Sequence, residues 1–471
     1  MNVLLIYPYI ASNSTLWMPL GLPFIAACLR RDGHEVSIFD RYAAQFKVGR
    51  GRQQVDRAML EHIQAFQPDL VGLNTLSPLI HDTVDCAALI RSVHAGPIVA
   101  GGYHTTALPE LTLRKIPALD GVVAGEGESV LSRLASGEVP WQIPGVWWRD
   151  GEEIRAPATP AAQVDDLDQL PQPALGLMDM ALYTRRTDGV IRRHNLSAAT
   201  LVSSRGCQRR CRFCAESLTY GRGVRFHSPA YVLEWIRRVI ADYQVDGIHF
   251  HDNDFLVNEQ RAREICEAIL AAGLERKIQW SIQARADRLH EEIARLLKAA
   301  GCVLVEVGVE TGTQKGLDQV AKGTTTEMNT QAVRICRKAG LDVHAYMLTK
   351  LEGETIADLK RRLAWLKKAR PTSFQWTGLS IHPGTVLYEE KGNDFFAAHE
   401  WTEEAISEHY LTDLSAIPPD VRKRWMARHF GPYVRWQWWR QALGRYPLRH
   451  LVRFAWFKVR HKVLSKIGQG Q

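Results

Sequence analysis

The chain has 471 residues, 46% of them hydrophobic and 23% charged, an ordinary balance for a globular protein with ample material for buried cores. At about 150 residues per domain this length implies about three domains, or two and a tail. The net charge of +8 is concentrated at one end: residues 421–471 hold 13 Lys or Arg and no acid, leaving 46 basic against 51 acidic groups in the rest. A mildly acidic body argues against a nucleic-acid footprint across it. Eight cysteines scattered over this length form no disulfide framework.

Strand and helix signals alternate from the start. Residues 3–7, 36–39, 70–74, 98–100 and 122–124 read as short buried strands, with helices at 21–31, 54–66, 82–94 and 109–116. The expectation for residues 1–145 is therefore an α/β domain with a doubly wound, open parallel sheet. Such sheets bind ligands beyond the carboxyl ends of their strands. Those ends read Asn74-Thr75-Leu76-Ser77, Gly101-Gly102-Tyr103-His104 and Gly125-Glu126-Gly127-Glu128. Their glycines would let the backbone approach a flat ligand or a phosphate. Residues 146–195, with several prolines and the stretch DDLDQLPQPAL, read as a linker. Residues 196–390 alternate again. Strands at 200–204, 247–251, 278–282, 303–307, 343–348 and 373–379 with intervening helices imply a partial (β/α)6 barrel, whose chemistry belongs at the strand C-termini. Residues 391–471 read as a helical, basic and aromatic C-terminal region.

Most informative for function is SSRGCQRRCRFCAES, which places Cys207, Cys211 and Cys214 in a C-x3-C-x2-C run at the end of the first barrel strand. Three thiolates on one loop can ligate an iron–sulfur cluster and leave one iron open. A zinc site is the alternative, with His194 or His227 as a fourth ligand. Further strand ends carry Asp252, Asn253 and Asp254 of HDNDF, Gln283, Arg285 and Asp287 of QARAD, Glu306 and Glu310 of VEVGVETGT, Glu354 of EGET, and His382 of HPGT. Asp252 and Asp254 could hold an ammonium or hydroxyl group, although helix capping is an alternative use for such a strand end.

The cysteine spacing, with Phe213 before the last cysteine, resembles the signature of the radical S-adenosylmethionine (SAM) enzymes. The order of the strand-end motifs, together with NTLSPL, AGGYHTTALPE and VVAGEGE, resembles the members with an N-terminal cobalamin-binding domain, the group related to the anaerobic magnesium-protoporphyrin monomethyl ester cyclase. The resemblance covers residues 1–390. It implies that Cys207, Cys211 and Cys214 ligate a [4Fe–4S] cluster, that Asp252 and Asp254 lie near the amino group of SAM, and that Glu310 lies near its ribose or methionine portion. It implies further that Gln283 and Arg285 are cofactor-binding, and that Ser77, Gly101, Gly102, His104, Gly125 and Glu126 line the cobalamin. The Asp-x-His-x-x-Gly motif that supplies a lower axial histidine in other cobalamin domains is missing after the first strand, so a cobalamin without that ligand is expected. The fifth-strand motif reads Lys350-Leu351-Glu352-Gly353-Glu354-Thr355, without its usual proline and first glycine.

The activity implied is C-methylation of an unactivated carbon in a small-molecule or lipid-like intermediate, with an external low-potential reductant. Oxidative cyclisation, hydroxylation or ring contraction is the alternative. A sensor without turnover is disfavoured by the retained motifs, and an RNA methylthiotransferase by the acidic body and the lack of a second cysteine cluster. The start of the chain lacks the basic region of a secretory signal, which suggests a cytoplasmic protein. Residues 421–471 carry Trp425, Trp436, Trp438, Trp439 and Trp456, and an apolar stripe from Leu448 to Val463 flanked by arginines. Two readings stay open for this region: peripheral contact with an anionic membrane, or a helix packed on the body.

Overall fold

In the computed structural model, residues 1–10, 18–49, 51–221, 223–391 and 394–445 are described. The first sheet has seven strands: β1 (Asn2–Tyr7), β2 (Glu35–Asp40), β3 (Leu70–Thr75), β4 (Ile98–Gly102), β5 (Gly121–Val123), β6 (Val146–Asp150) and β7 (Glu153–Arg155), in the order β2-β1-β3-β4-β5-β6-β7. β1 to β5 pair in parallel; β6 and β7 join antiparallel. Helices cover both faces, so a strand such as β1 is apolar on both sides: Val3 and Leu5 enter one core, Leu4 and Ile6 the other. The sheet therefore runs past residue 145, into the stretch read as linker.

The second sheet is all parallel, with β8 (Ala198–Leu201), β11 (Gly247–Phe250), β12 (Gln279–Ala284), β13 (Cys302–Glu310), β14 (Asp342–Thr349) and β15 (Ser373–Gly378) in the order β15-β14-β13-β12-β11-β8. Between β8 and β11 an antiparallel hairpin of β9 (Ser204–Cys207) and β10 (Gly223–Phe226) stands apart from this sheet. The strand expected at 200–204 is thus two strands with a break at Val202-Ser203. From Leu167 onward the supposed linker is packed, with Leu167, Leu170, Leu175, Met178 and Tyr183 buried. Val190 and Ile191 are buried with Ala198 and Leu304 at the N-terminal end of the barrel strands, and Arg192 reaches the carboxylate of Glu306.

The C-terminal region returns to the first domain. Phe396, Trp401 and Ile406 complete one of that domain's two cores. The closing helix, Pro419–Arg445, packs on the barrel instead: Tyr433 donates to the Leu366 carbonyl at 3.0 Å and Phe430 meets Trp376 edge-on. Packing on the body thus holds for the described part of this helix. The stripe Leu448–Val463 and Trp456 lie outside the described residues, as do the side chains of Trp438 and Trp439. Among the described residues no helix is long and apolar enough to cross a membrane.

His104 is fully buried between Phe396 and Trp401, with ring centroids 5.0 and 4.9 Å away, and neither ring nitrogen has a hydrogen-bond partner among the described residues. Burial lowers its pKa from 6.5 to about 3. The unfolded chain therefore takes up this proton below about pH 6.5 and the folded chain does not, so the residue costs stability as pH falls from 6.5 towards 3. A His104→Leu variant is expected to gain on the native chain by about 2 kcal/mol between pH 7 and 5, measured by denaturant unfolding at each pH. A gap that does not change with pH would refute the assignment.

Candidate active site

The three cysteines sit on the hairpin loop. Gly206 has φ +96°, and a Cβ there would meet the Gly223 carbonyl oxygen at 2.3 Å, so only glycine allows β9 and β10 to pair this closely. Cys207 ends β9, and a turn closed by the Cys214 amide donating to the Cys211 carbonyl at 3.0 Å brings the other two round. All three are half-buried. Burial pushes the Cys214 thiol up to about 12 and that of Cys211 in the same direction, so their thiolates depend on a cationic centre beside them. No three His, Cys, Asp or Glu side chains among the described residues gather closely enough to hold a single metal ion. His194 pairs with Asp342 and His227 with Asp168, and neither gathers with the cysteines into a metal-binding group among the described residues. A four-iron cube holds its ligands farther apart than one ion does, and three thiols on one loop suit it.

Above the hairpin lies a cavity of ≈ 360 Å³. The first domain contributes Tyr7, Asn74, Gly101, Gly102, Tyr103 and the Gly125–Glu128 turn; the barrel side contributes Val202, Arg205, Tyr220 and His251. Leu5, Gly72, Val99 and Ala100 line its apolar side. A Cβ at Gly72 would lie 3.0 Å from Leu5 Cδ2, so glycine there lets Leu5 pack closely over β3. A cleft with a largely apolar, glycine-rich lining fits a flat macrocycle with an aromatic nucleotide tail. Among the described residues the sheet side of this cavity presents no imidazole, and the loop after β1 contains no histidine in sequence.

Two of the expected lining residues are elsewhere. Gly102, at φ +126°, starts a helix at Tyr103; successive helical side chains point about 100° apart, so Tyr103 faces the cavity while His104 turns into the core. Ser77 is buried in the short turn Ser77–Leu79, outside the cavity wall. Gly101, Gly102, Gly125 and Glu126 do line it. Glu126, however, is engaged: it accepts from Arg225 at 2.6 and 2.9 Å and from the Val164 amide at 2.9 Å, and pairs with Arg205 at 3.3 Å. Burial works to raise its pKa, but the two guanidiniums outweigh this and hold it below the usual carboxylate range. Arg205 also pairs with Glu128 at 2.6 Å. Four charged side chains, all within 13% exposure, thereby join the cobalamin-side turn to the cluster hairpin.

Of the barrel strand ends, Val202 and His251 reach this cavity, whereas Asp252, Asp254, Gln283, Arg285 and Glu310 are not among its lining residues. Asp252 is not free for an amine: it accepts from the Ser203 amide at 3.1 Å, the Ser203 hydroxyl at 2.8 Å and the Ser204 hydroxyl, and so braces the break between β8 and β9. Asp254 is buried, accepts from the Arg285 amide at 3.3 Å and lies 3.8 Å from Arg288. Arg285 is held two-pronged by Asp287, at 2.9 and 3.1 Å. Gln283 donates to His251 Nδ1 at 3.0 Å, and His251 also lies 3.3 Å from His249, which is bonded to Ser281. Glu310 accepts from the buried Lys322 at 2.7 Å and has a left-handed φ of 60° at a register shift in β13. Glu354 is bound to Arg362 in the protein interior, a structural pair. Glu216, two residues after Cys214, accepts from Tyr103 at 3.1 Å and Asn253 at 3.0 Å. Sequence reasoning missed Arg205, Arg225, Tyr103, His251, Glu216 and Lys322. Each reads as an ordinary surface or core residue until its distant partner is known.

An Arg205→Met variant would leave Glu128 buried and unpaired and Glu126 with one guanidinium. The expected cost is about 3 kcal/mol of folding stability, with weaker retention of cobalamin on a desalting column and restoration by Arg205→Lys only in part. Full stability and retention in the methionine variant would show that the two domains do not depend on this contact.

A radical SAM superfamily model matches residues 201–366, and a B12 binding domain model matches residues 8–135. An uncharacterized methyltransferase of Pyrococcus horikoshii is 30% identical over 399 residues, covering 83% of each chain. The anaerobic magnesium-protoporphyrin IX monomethyl ester cyclase of Cereibacter sphaeroides is 26% identical over 79% of this chain and 60% of its own length. Among solved structures, the radical S-adenosylmethionine methyltransferase TsrM of Kitasatospora setae superposes with a TM-score of 0.69 over 83% of this chain and 75% of that one, at 21% identity, which speaks to the fold. Two family models in order along the chain, and a relative aligned over most of both sequences, establish that this protein belongs to the radical SAM enzymes with an N-terminal B12-binding domain.

Proposed function

We propose that this enzyme is a cobalamin-dependent methyltransferase that acts on a carbon of a small molecule bound at the barrel mouth. The observation that carries this reading is the shared cavity. His251, at the end of β11 and bonded to Gln283 of β12, closes the same space as Gly101, Gly102 and Tyr103 of the first domain. A group seated on the first sheet therefore faces the barrel mouth directly, with the cysteine hairpin at its side. When bound, the cluster and SAM supply a carbon-centred radical that removes hydrogen, and cobalamin supplies a transferable methyl group.

The residues of the chain position and enclose these reactants. Cys207, Cys211 and Cys214 would hold the cluster. Gln283, Arg285 and the Glu310–Lys322 pair surround the place for SAM, with Asp254 holding the Arg285 backbone and Asp252 keeping the hairpin in register. The barrel interior is polar: Gln283, Glu306, His344 and Ser373 are neighbours in strand register. Arg192 and Tyr346 both bond Glu306, at 3.2 and 2.6 Å. Such a lining suits a substrate with hydrogen-bonding groups.

The test is made on anaerobically reconstituted protein with cobalamin, SAM and a low-potential reductant, with S-adenosylhomocysteine and 5′-deoxyadenosine quantified together by mass spectrometry. Both products are expected, with deoxyadenosine abolished when the three cysteines are replaced by alanine. Deoxyadenosine without S-adenosylhomocysteine would replace methyl transfer by cyclisation, hydroxylation or ring contraction.

Peripheral membrane contact through residues 421–471 is supported by the outer face of the closing helix. Lys423, Arg424, Arg428, Arg435 and Trp436 are exposed there. The protein is expected to sediment with phosphatidylglycerol vesicles in low salt and to be released by 1 M salt; protein that stays in the supernatant at low salt would refute the contact.

A further inference from the structure

The outer face of the cysteine hairpin is a basic patch in an otherwise acidic body. Gln208, Arg209 and Arg210, the three residues between Cys207 and Cys211, are all exposed. Gln208 and Arg209 adjoin the half-buried Arg288 and the buried Arg285 around a narrow gap that reaches Cys207. Among the described residues, two carboxylates stand against these cations. Asp287 is shared by Arg285 at 2.9 Å and Arg209 at 3.2 Å, and Asp254 lies buried beneath Arg288 at 3.8 Å. Arg210 has no carboxylate within 4.0 Å among the described residues. The patch thus carries a net positive charge, whereas residues 1–420 together carry 46 basic and 51 acidic groups.

Within the patch Arg209 bonds Asp287 at 3.2 Å and Gln208 accepts from Arg288 at 3.5 Å, which ties the loop to the turn after β12, whereas Arg210 is exposed and enters no ion pair among the described residues. The fold of the loop is set by the Gly206 contact and by Arg205 and Arg225, which point the other way, into the domain interface. The opposite side of the cysteine loop is enclosed by the cavity and the barrel mouth. The exposed side is where a macromolecule can come within about one layer of side chains of the three thiols. An exposed arginine without an acid partner steers association with an oppositely charged surface, chiefly through the association rate.

We propose that Arg209, Arg210 and Arg288 form the docking surface for the electron donor, a small acidic protein that carries a low-potential one-electron centre near its surface. The proposal rests on the radical SAM reading above. In each encounter the donor loses one electron and the centre held by Cys207, Cys211 and Cys214 gains it. With a flavin hydroquinone anion as donor, the product is the neutral semiquinone and no proton changes hands.

The experiment follows reduction of the reconstituted full chain in a stopped-flow spectrometer, by loss of its visible iron–sulfur absorbance, with photoreduced flavodoxin as the probe. A photogenerated deazaflavin radical serves as a small reductant that needs no docking surface. For Arg210→Glu the second-order rate with flavodoxin is expected to fall about tenfold at low ionic strength, while Arg210→Lys keeps the native rate. The native rate is expected to fall steeply with added salt, and the rate with deazaflavin to be unchanged in every variant. Equal flavodoxin rates for the native chain and Arg210→Glu, or a native chain that flavodoxin does not reduce, would overturn the proposal. So would an equal loss with deazaflavin, which would place Arg210 in control of the cluster rather than of docking. Reduction without any deoxyadenosine from SAM would overturn the radical SAM reading instead, leaving the flavodoxin rates to judge the surface by themselves.

Discussion

The ion cluster of Glu126, Glu128, Arg205 and Arg225 is the contact on which the arrangement of the site depends. Isolated buried charges are costly, and a buried pair is retained only where partners and hydrogen bonds are complete. Here the partners belong to different domains. Glu126 and Glu128 follow β5 at the carboxyl edge of the first sheet; Arg205 and Arg225 face each other across the hairpin that ends in Cys207. Any relative slip of the domains would strand four charges at once. The low-dielectric interface therefore acts as a registration device, setting the cavity against the cysteine loop.

A second constraint runs through the barrel. Its interior is filled with polar side chains, held in pairs that leave little net charge: Arg192 with Glu306, Lys322 with Glu310, Arg285 with Asp287. Arg192 comes from the segment that closes the barrel from below. The connector between the domains thus helps to build the pocket it was expected only to span. Preorganised pairs of this kind keep orientation without free charges that would compete for a cationic sulfonium or a reactive radical.

Much of this was legible locally. The alternation of apolar strands with amphipathic helices identified both sheets, because hydrophobic periodicity reflects only which faces of an element are buried. The cysteine loop was visible because three ligands lie within eight residues. The glycine-rich strand ends marked the cavity edge because only glycine permits φ +126° at Gly102 or the close approach at Gly72. Where reasoning from motifs went astray, the cause was again physical. Motif position alone does not tell which neighbouring side chain a turn directs inwards, so His104 and Ser77 were placed at a cavity that Tyr103 and Leu76 occupy instead.

The sequence by itself therefore determined the two α/β units, the cysteine loop and the order of the strand-end motifs, since these depend on periodicity, spacing and backbone conformation within a few residues. Only the tertiary structure decided which acids are free and which are engaged. Asp252 braces a strand break, Glu126 meets Arg225 across 99 positions, and Lys322 reaches Glu310 from the loop before the next helix. A charged side chain takes whatever partner the fold brings within reach, and that partner is chosen by the packing of the whole chain, not by the residues beside it.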